Sequence, residues 1–201
     1  MKFILKSISF IFHPVIMPLL GVIFYFSKSP RYLPMEIIQA KVVSLFILTI
    51  LLPILLYFLL KSLGRTSTIY LKSTNERILP LILNAIIILL VVYRVLPNDE
   101  IIELYYFFIG ILISTLSCLV LAILKFKASI HMMAVSGVFM FFLALSIHFS
   151  ININGSLAIM AVLMGAIATS RLHLKAHTYP ELIIGFFTGL IPQLFLVNYW
   201  L

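Results

Sequence analysis

Long apolar runs separated by short polar interruptions dominate this chain. Residues 45–60 and 81–92 are almost wholly apolar, and the first of these is too long for an ordinary strand. A helix that crosses a bilayer needs about 20 predominantly apolar residues. The pattern supplies windows at about 8–26, 37–60, 79–96, 101–124, 131–148, 157–169 and 182–199. Pro14 and Pro18 interrupt the first and Pro53 the second; proline removes a backbone donor and kinks or breaks a helix. The expectation is an all-α, polytopic transmembrane helix bundle of six or seven spans in one domain, the count depending on whether the first span crosses.

Composition agrees. The chain is 63% hydrophobic and 10% charged over 201 residues, against about 25% charged in a soluble domain. The net charge of +8 is not a nucleic-acid signal, because the basic residues sit singly in short connections rather than in a basic, aromatic-lined groove. The one cysteine, Cys118, lies inside an apolar run and has no intrachain partner. Lys2 and Lys6 before an apolar stretch resemble a signal peptide, but no small-residue cleavage pattern follows, so retention as a first span is expected.

Spans alternate sides. Three polar segments, 61–77, 125–131 and 170–181, are each two spans apart and therefore share one face of the bundle. That face holds most of the reactive side chains. Basic residues favour the cytoplasmic side, and more of them lie on this face. Setting aside Arg77, Lys125, Lys127, Arg171 and Lys175, which an anion site would require for its own reasons, leaves five against four. That bias does not orient the chain. A prokaryotic cytoplasmic membrane is the expected location, with the side of the reactive face open.

The densest polar run is Ser170-Arg-Leu-His-Leu-Lys-Ala-His-Thr-Tyr-Pro-Glu181. Polar groups at membrane depth are costly and default to a functional reading. His177 and Glu181 are four apart. A carboxylate on one imidazole nitrogen fixes the tautomer and leaves the other nitrogen basic, which makes a histidine a nucleophile or base. A structural role is also open: Thr178 and Glu181 fit a capping box, and His177 can be an interfacial histidine. His173, flanked by Leu172 and Leu174, ranks below it. The second run is Lys125-Phe-Lys127-Ala-Ser129-Ile-His131. Ser129 suits a helix N-cap, and the free donors of a helix start attract phosphate. The two lysines extend that preference, or simply anchor to headgroups. Zinc on His131, His177 and Glu181 is conceivable, but the neighbouring Arg and Lys residues repel a cation and favour an anion.

These residues resemble the type 2 phosphatidic acid phosphatase (PAP2) superfamily. Its last motif is Ser-Arg, five residues, His, three residues, Asp; here Ser170-Arg171, five residues, His177, three residues, Glu181. Its middle motif is Pro-Ser-Gly-His; here Ala128-Ser129-Ile130-His131 keeps only the serine and histidine. Its first motif, Lys, six residues, Arg-Pro, is not intact. Lys125 or Lys127 is nearest to it in sequence, and Lys72, Arg77 and Pro80 give a looser version two spans earlier on the same face. The resemblance runs from Lys125 to the C-terminus.

The resemblance implies a PAP2-like core and a metal-independent lipid phosphatase with no cofactor. His177 would form a phosphohistidine and Glu181 would orient it. His131 would protonate the leaving group and then activate water. Arg171, Ser129, Arg77, Ser170 and Lys125 or Lys127 would hold the phosphate oxygens. The implied partner is a lipid phosphomonoester or pyrophosphate within the bilayer. Rival readings are a catalytically silent lipid-phosphate binder on the same fold, which the altered motifs favour, and a small transporter, which prolines inside spans favour.

Overall fold

The computed structural model describes residues 2–64, 73–97 and 100–201. Residues 65–72 of the polar segment 61–77, Lys72 of the looser first motif among them, and Asn98 and Asp99 lie outside the described residues. All regular structure among the described residues is helical. Seven segments are long and apolar enough to cross a membrane: Leu5–Lys28, Met35–Ser62, Thr74–Val95, Ile102–Ile123, Ile130–His148, Asn154–His173 and Tyr179–Tyr199. The chain is thus an all-α bundle with the character of an integral membrane protein.

The prolines shape the first three spans. Span one is a helix α1 (Lys2–Ile11), a 3-10 turn at Pro14–Ile16, and a helix α2 (Met17–Lys28). A residue before proline is driven out of the helical region, and His13 is extended at φ −67°, ψ 141°. Span two runs as α3 (Met35–Phe46), a wide π turn at Ile47–Leu51, and α4 (Leu52–Ser62). Pro53 cannot donate to the carbonyl of Thr49, and the wider turn absorbs that gap. Span three, α5 (Thr74–Leu90), starts earlier than its apolar window because Ser73 caps it, accepting from the Glu76 N–H at 3.3 Å. That brings Arg77 into the helix, with 3% of its surface exposed.

The remaining spans are α6 (Ile102–Ile123), α7 (Ile130–His148), α8 (Asn154–His173) and α9 (Tyr179–Leu196). α8 exceeds its expected 157–169 at both ends. Asn152 accepts from the Asn154 N–H at 3.1 Å to open it. At the other end the Ser170 hydroxyl donates to the Leu5 carbonyl at 2.6 Å and pairs with the Ser9 hydroxyl, also at 2.6 Å.

α7 is the centre of the bundle: 67% of its apolar window is buried, against 11% for span two. Its most extensive packing is against α9. The contact depends on Gly185 and Gly189, one turn apart on α9. A Cβ at Gly185 would lie 2.6 Å from the Ser129 carbonyl oxygen, and one at Gly189 would run into the Met133 carbonyl. Small residues at this spacing let helix backbones touch in a membrane, where packing rather than the hydrophobic effect drives association. The Ser136 hydroxyl donates across the seam to the Phe186 carbonyl at 2.8 Å.

At the end of the bundle away from the polar segments, the fully buried Glu103 carboxylate accepts from Tyr25 at 3.1 Å, pairs with Arg31 at 2.7 Å and meets His148 at 3.2 Å. Lys41 pairs there with Glu100 and donates to the Val95 carbonyl at 2.8 Å.

Gly189→Ala should lower the thermal midpoint of the purified protein sharply, because overpacking of this kind costs about 1–3 kcal/mol. Gly165→Ala, where a Cβ meets nothing within 4 Å, should leave the midpoint unchanged or slightly raised. An unaltered midpoint in Gly189→Ala would contradict a rigid α7–α9 seam.

Candidate functional site

The α7–α9 seam carries the two histidine segments to one place. Ser129 caps α7, its hydroxyl accepting from the Met132 N–H at 3.5 Å. Its own N–H donates to the Glu181 carbonyl at 2.9 Å. Two cations hold the adjoining backbone: Arg77 donates to the Ala128 carbonyl at 2.7 Å, and Lys127 to the Ala176 carbonyl at 3.0 Å. α8 ends in a turn in which Lys175, at φ 50°, lets the Ala176 N–H reach back to the Arg171 carbonyl at 3.0 Å. The chain therefore doubles back so that His177 returns beside the buried end of α8, where Arg171 is 3% exposed.

A cavity of about 660 Å³ opens from this point into the bundle. Arg77, His131, Arg171, His177 and His13 line its polar end. Most of the remaining wall is apolar and comes from spans one to five.

Each of the three histidines has a partner that fixes its tautomer. His177 Nδ1 lies 2.8 Å from Glu181 Oε2. A carboxylate only accepts, so Nδ1 carries the proton and Nε2 keeps its lone pair. The same Oε2 accepts from the Thr178 N–H at 3.1 Å, so Glu181 caps α9 and orients His177 at once. His131 Nε2 lies 3.2 Å from the Ser9 carbonyl. A carbonyl also only accepts, so Nε2 is the protonated nitrogen and Nδ1 is left to take up or deliver a proton. His13 Nδ1 accepts from the Val15 N–H at 3.4 Å, which leaves Nε2–H as a donor. The His13 and His131 rings meet edge-on with centroids 5.5 Å apart.

Three cations, Arg77, Arg171 and Lys127, and one carboxylate, Glu181, act on His177. Burial is the main cause holding His177 down to about 4, and the three cations push the same way against the Glu181 hydrogen bond. The ring is therefore neutral at pH 7. Burial, then Arg77, also lower Lys127 below the ordinary ammonium value, with Glu181 opposing. Arg77 and Arg171 are buried, and a buried charge must be paired.

The sequence-derived candidates do not all converge. Arg77, His131, Arg171 and His177 line the cavity, with Glu181 and Lys127 behind them. Ser129 is fully buried and serves as a cap. Ser170 is turned to α1, its hydroxyl engaged by Leu5 and Ser9. Lys125 closes the turn after α6 at φ 61° and is exposed, whereas Lys127 acts on His177. His173 is exposed. Among the described residues, no group of three His, Cys, Asp or Glu side chains is placed to hold a metal ion, His131, His177 and Glu181 included. His13 was not legible as a site residue; its one sequence signal is its place directly before Pro14, in the break of a span.

Histidine NMR titration should place the His177 midpoint near 4 with the proton of the neutral ring on Nδ1. Glu181→Gln should lower the midpoint further, since the carboxylate raises it. An unfolded chain binds this proton at about 6.5, so between 6.5 and 4 it holds more protons than the fold does, and stability falls as pH falls through that window. The contribution is fully present above 6.5. A His177 midpoint at or above 6.5 would overturn the neutral imidazole.

No family model, no curated protein and no solved structure matches this chain.

Proposed function

We propose that the protein is a membrane phosphatase with a PAP2-like core, acting on a lipid phosphomonoester or pyrophosphate through a phosphohistidine. The observation that carries the reading is a neutral, carboxylate-oriented histidine beside two buried arginines and the half-buried Lys127 at the end of an apolar cavity. The phosphate sits among Arg77, Arg171 and Lys127, and its apolar chain extends down the cavity. Phosphoryl transfer needs mainly positioning and charge stabilisation, and this arrangement offers both.

His177 Nε2 attacks phosphorus as the bond to the leaving oxygen breaks. The electron pair goes to that oxygen, and the proton of the substrate's phosphate monoanion follows it by way of His131 Nδ1. Glu181 stabilises the positive charge that the phosphorylated ring acquires. Water then attacks phosphorus while His131 takes its proton. The phosphorus–nitrogen bond breaks, phosphate leaves, and His177 regains its lone pair. His13 Nε2–H donates to a phosphate oxygen as a neutral ring, because the Val15 N–H occupies its other nitrogen.

The silent-binder reading has its own support. Ser129, which the resemblance assigns to phosphate, is fully buried as a helix cap.

Phosphate release measured on purified protein with lipid phosphates separates the two readings. His177→Ala should cost about 10³-fold or more. Glu181→Gln should cut turnover by about 10²-fold or more at unchanged protein yield. A pure cap would leave turnover intact, since Gln also serves at this helix position. His131→Ala should slow alkyl phosphates more than an activated aryl phosphate, whose leaving group needs little protonation. Chelator should have no effect and vanadate should inhibit. Full turnover in His177→Ala rules out the phosphohistidine. Specific binding without turnover by the wild type makes the protein a silent binder.

A further inference from the structure

Below its charged end the cavity has a second polar level. Thr49 of span two, Asn84 of α5, Ser114 and Thr115 of α6 and Gln193 of α9 all line it. Asn84 is seven residues along α5 from Arg77, a rise of about 10 Å. Gln193 packs beside Gly137, eight residues along α7 from Ser129 and thus about 12 Å down. The two estimates agree, so these side chains form one belt deep in the apolar part of the bundle. Polar side chains at such depth are expensive and face cavities or partners.

Hydrogen bonding gives the belt a chemical sense. The hydroxyls of Thr49, Ser114 and Thr115 donate to the carbonyls of Leu45, Gly110 and Ile111 at 2.7, 2.8 and 2.8 Å. Their protons are committed, so toward a ligand they are acceptors only. Asn84 donates one amide hydrogen to Thr115 at 3.5 Å, and Gln193 donates one to the Phe107 carbonyl at 2.9 Å. Each amide keeps a carbonyl oxygen and one N–H. Acceptors outnumber donors, and no ionisable group is present in the belt. Bonds between helices account for Asn84, Thr115 and Gln193, but not for the hydroxyls of Thr49 and Ser114 on the same cavity wall.

We propose that this belt is a binding subsite for a hydroxyl group on the ligand's chain, about eight bonds from the phosphate, given the advance of an extended chain. A hydroxyl both donates and accepts, which the belt satisfies. The assignment rests on the phosphate reading above and narrows it to phosphates of mid-chain hydroxylated lipids.

The test uses three non-hydrolysable probes: hexadecylphosphonate and its 8-hydroxy and 3-hydroxy forms, with binding to the wild type measured calorimetrically in nanodiscs. The two hydroxylated isomers share one composition, which controls for partition into lipid. The 8-hydroxy probe should bind about tenfold more tightly than either other, the discrimination available to one buried hydrogen bond. Asn84→Leu and Thr115→Val should abolish that preference without weakening the unsubstituted probe. Thr49→Val, whose hydroxyl bonds within its own span, serves if Asn84→Leu does not fold. Equal affinity for the isomers overturns the subsite and leaves the phosphatase reading standing if lipid phosphates are turned over. The 8-hydroxy preference without turnover of any lipid phosphate supports the subsite and overturns catalysis. Binding of none of the probes overturns both.

Discussion

Contact between the backbones of α7 and α9 is the constraint on which the site depends. Ser129 and His131 stand at the start of one helix, and His177 and Glu181 at the start of the other. Neither pair has a fixed place relative to the other unless the helix axes lie closer than ordinary side chains permit. Gly185 and Gly189 remove the obstructing atoms, and the Ser129 N–H then bonds the Glu181 carbonyl directly. Arg77 and Lys127 bind backbone carbonyls on either side of this junction. The same cations therefore fix the local chain path and set the charge that His177 experiences.

The bundle is polarised along its axis. At one end three cations surround a neutral imidazole with one carboxylate for company. At the other, one fully buried carboxylate collects a tyrosine, an arginine and a histidine from three parts of the chain. Glu103 has enough partners to be satisfied within the protein, as a buried charge must be. The two ends of the bundle thus carry opposite charge: a carboxylate knot at one, a cluster of cations and histidines at the other.

The spans were legible because apolar length alone decides them, and the run from Ser170 to Glu181 was legible because so many polar residues stand together next to a span. Other parts were not. Arg77 reads as a connection residue until Ser73 is seen to cap the helix before it. Ser170 reads as part of a phosphate motif, yet its hydroxyl is drawn to Leu5 and Ser9 by packing between α1 and α8, a contact between residues 161 or more positions apart that no spacing reveals. Lys125 and Lys127 look equivalent in sequence, and only the left-handed turn at Lys125 separates them. His13 is a lone histidine near two prolines; its role follows from a helix break that turns its ring toward His131. The deep belt is spread over four spans, one or two residues at a time.

Span two gives the cavity an unusual outer wall. α4 packs extensively only on the wide turn before it, while Ile54 and Phe58, which line the cavity, are exposed, as are Phe10 and Ile11 of α1. The boundary between pocket and surroundings is thus one side chain thick along this stretch. Acyl chains of the bilayer complete the wall there, so the thickness and fluidity of the host membrane become part of the geometry of the site, and the volume open to a ligand is a property of the protein and its solvent together.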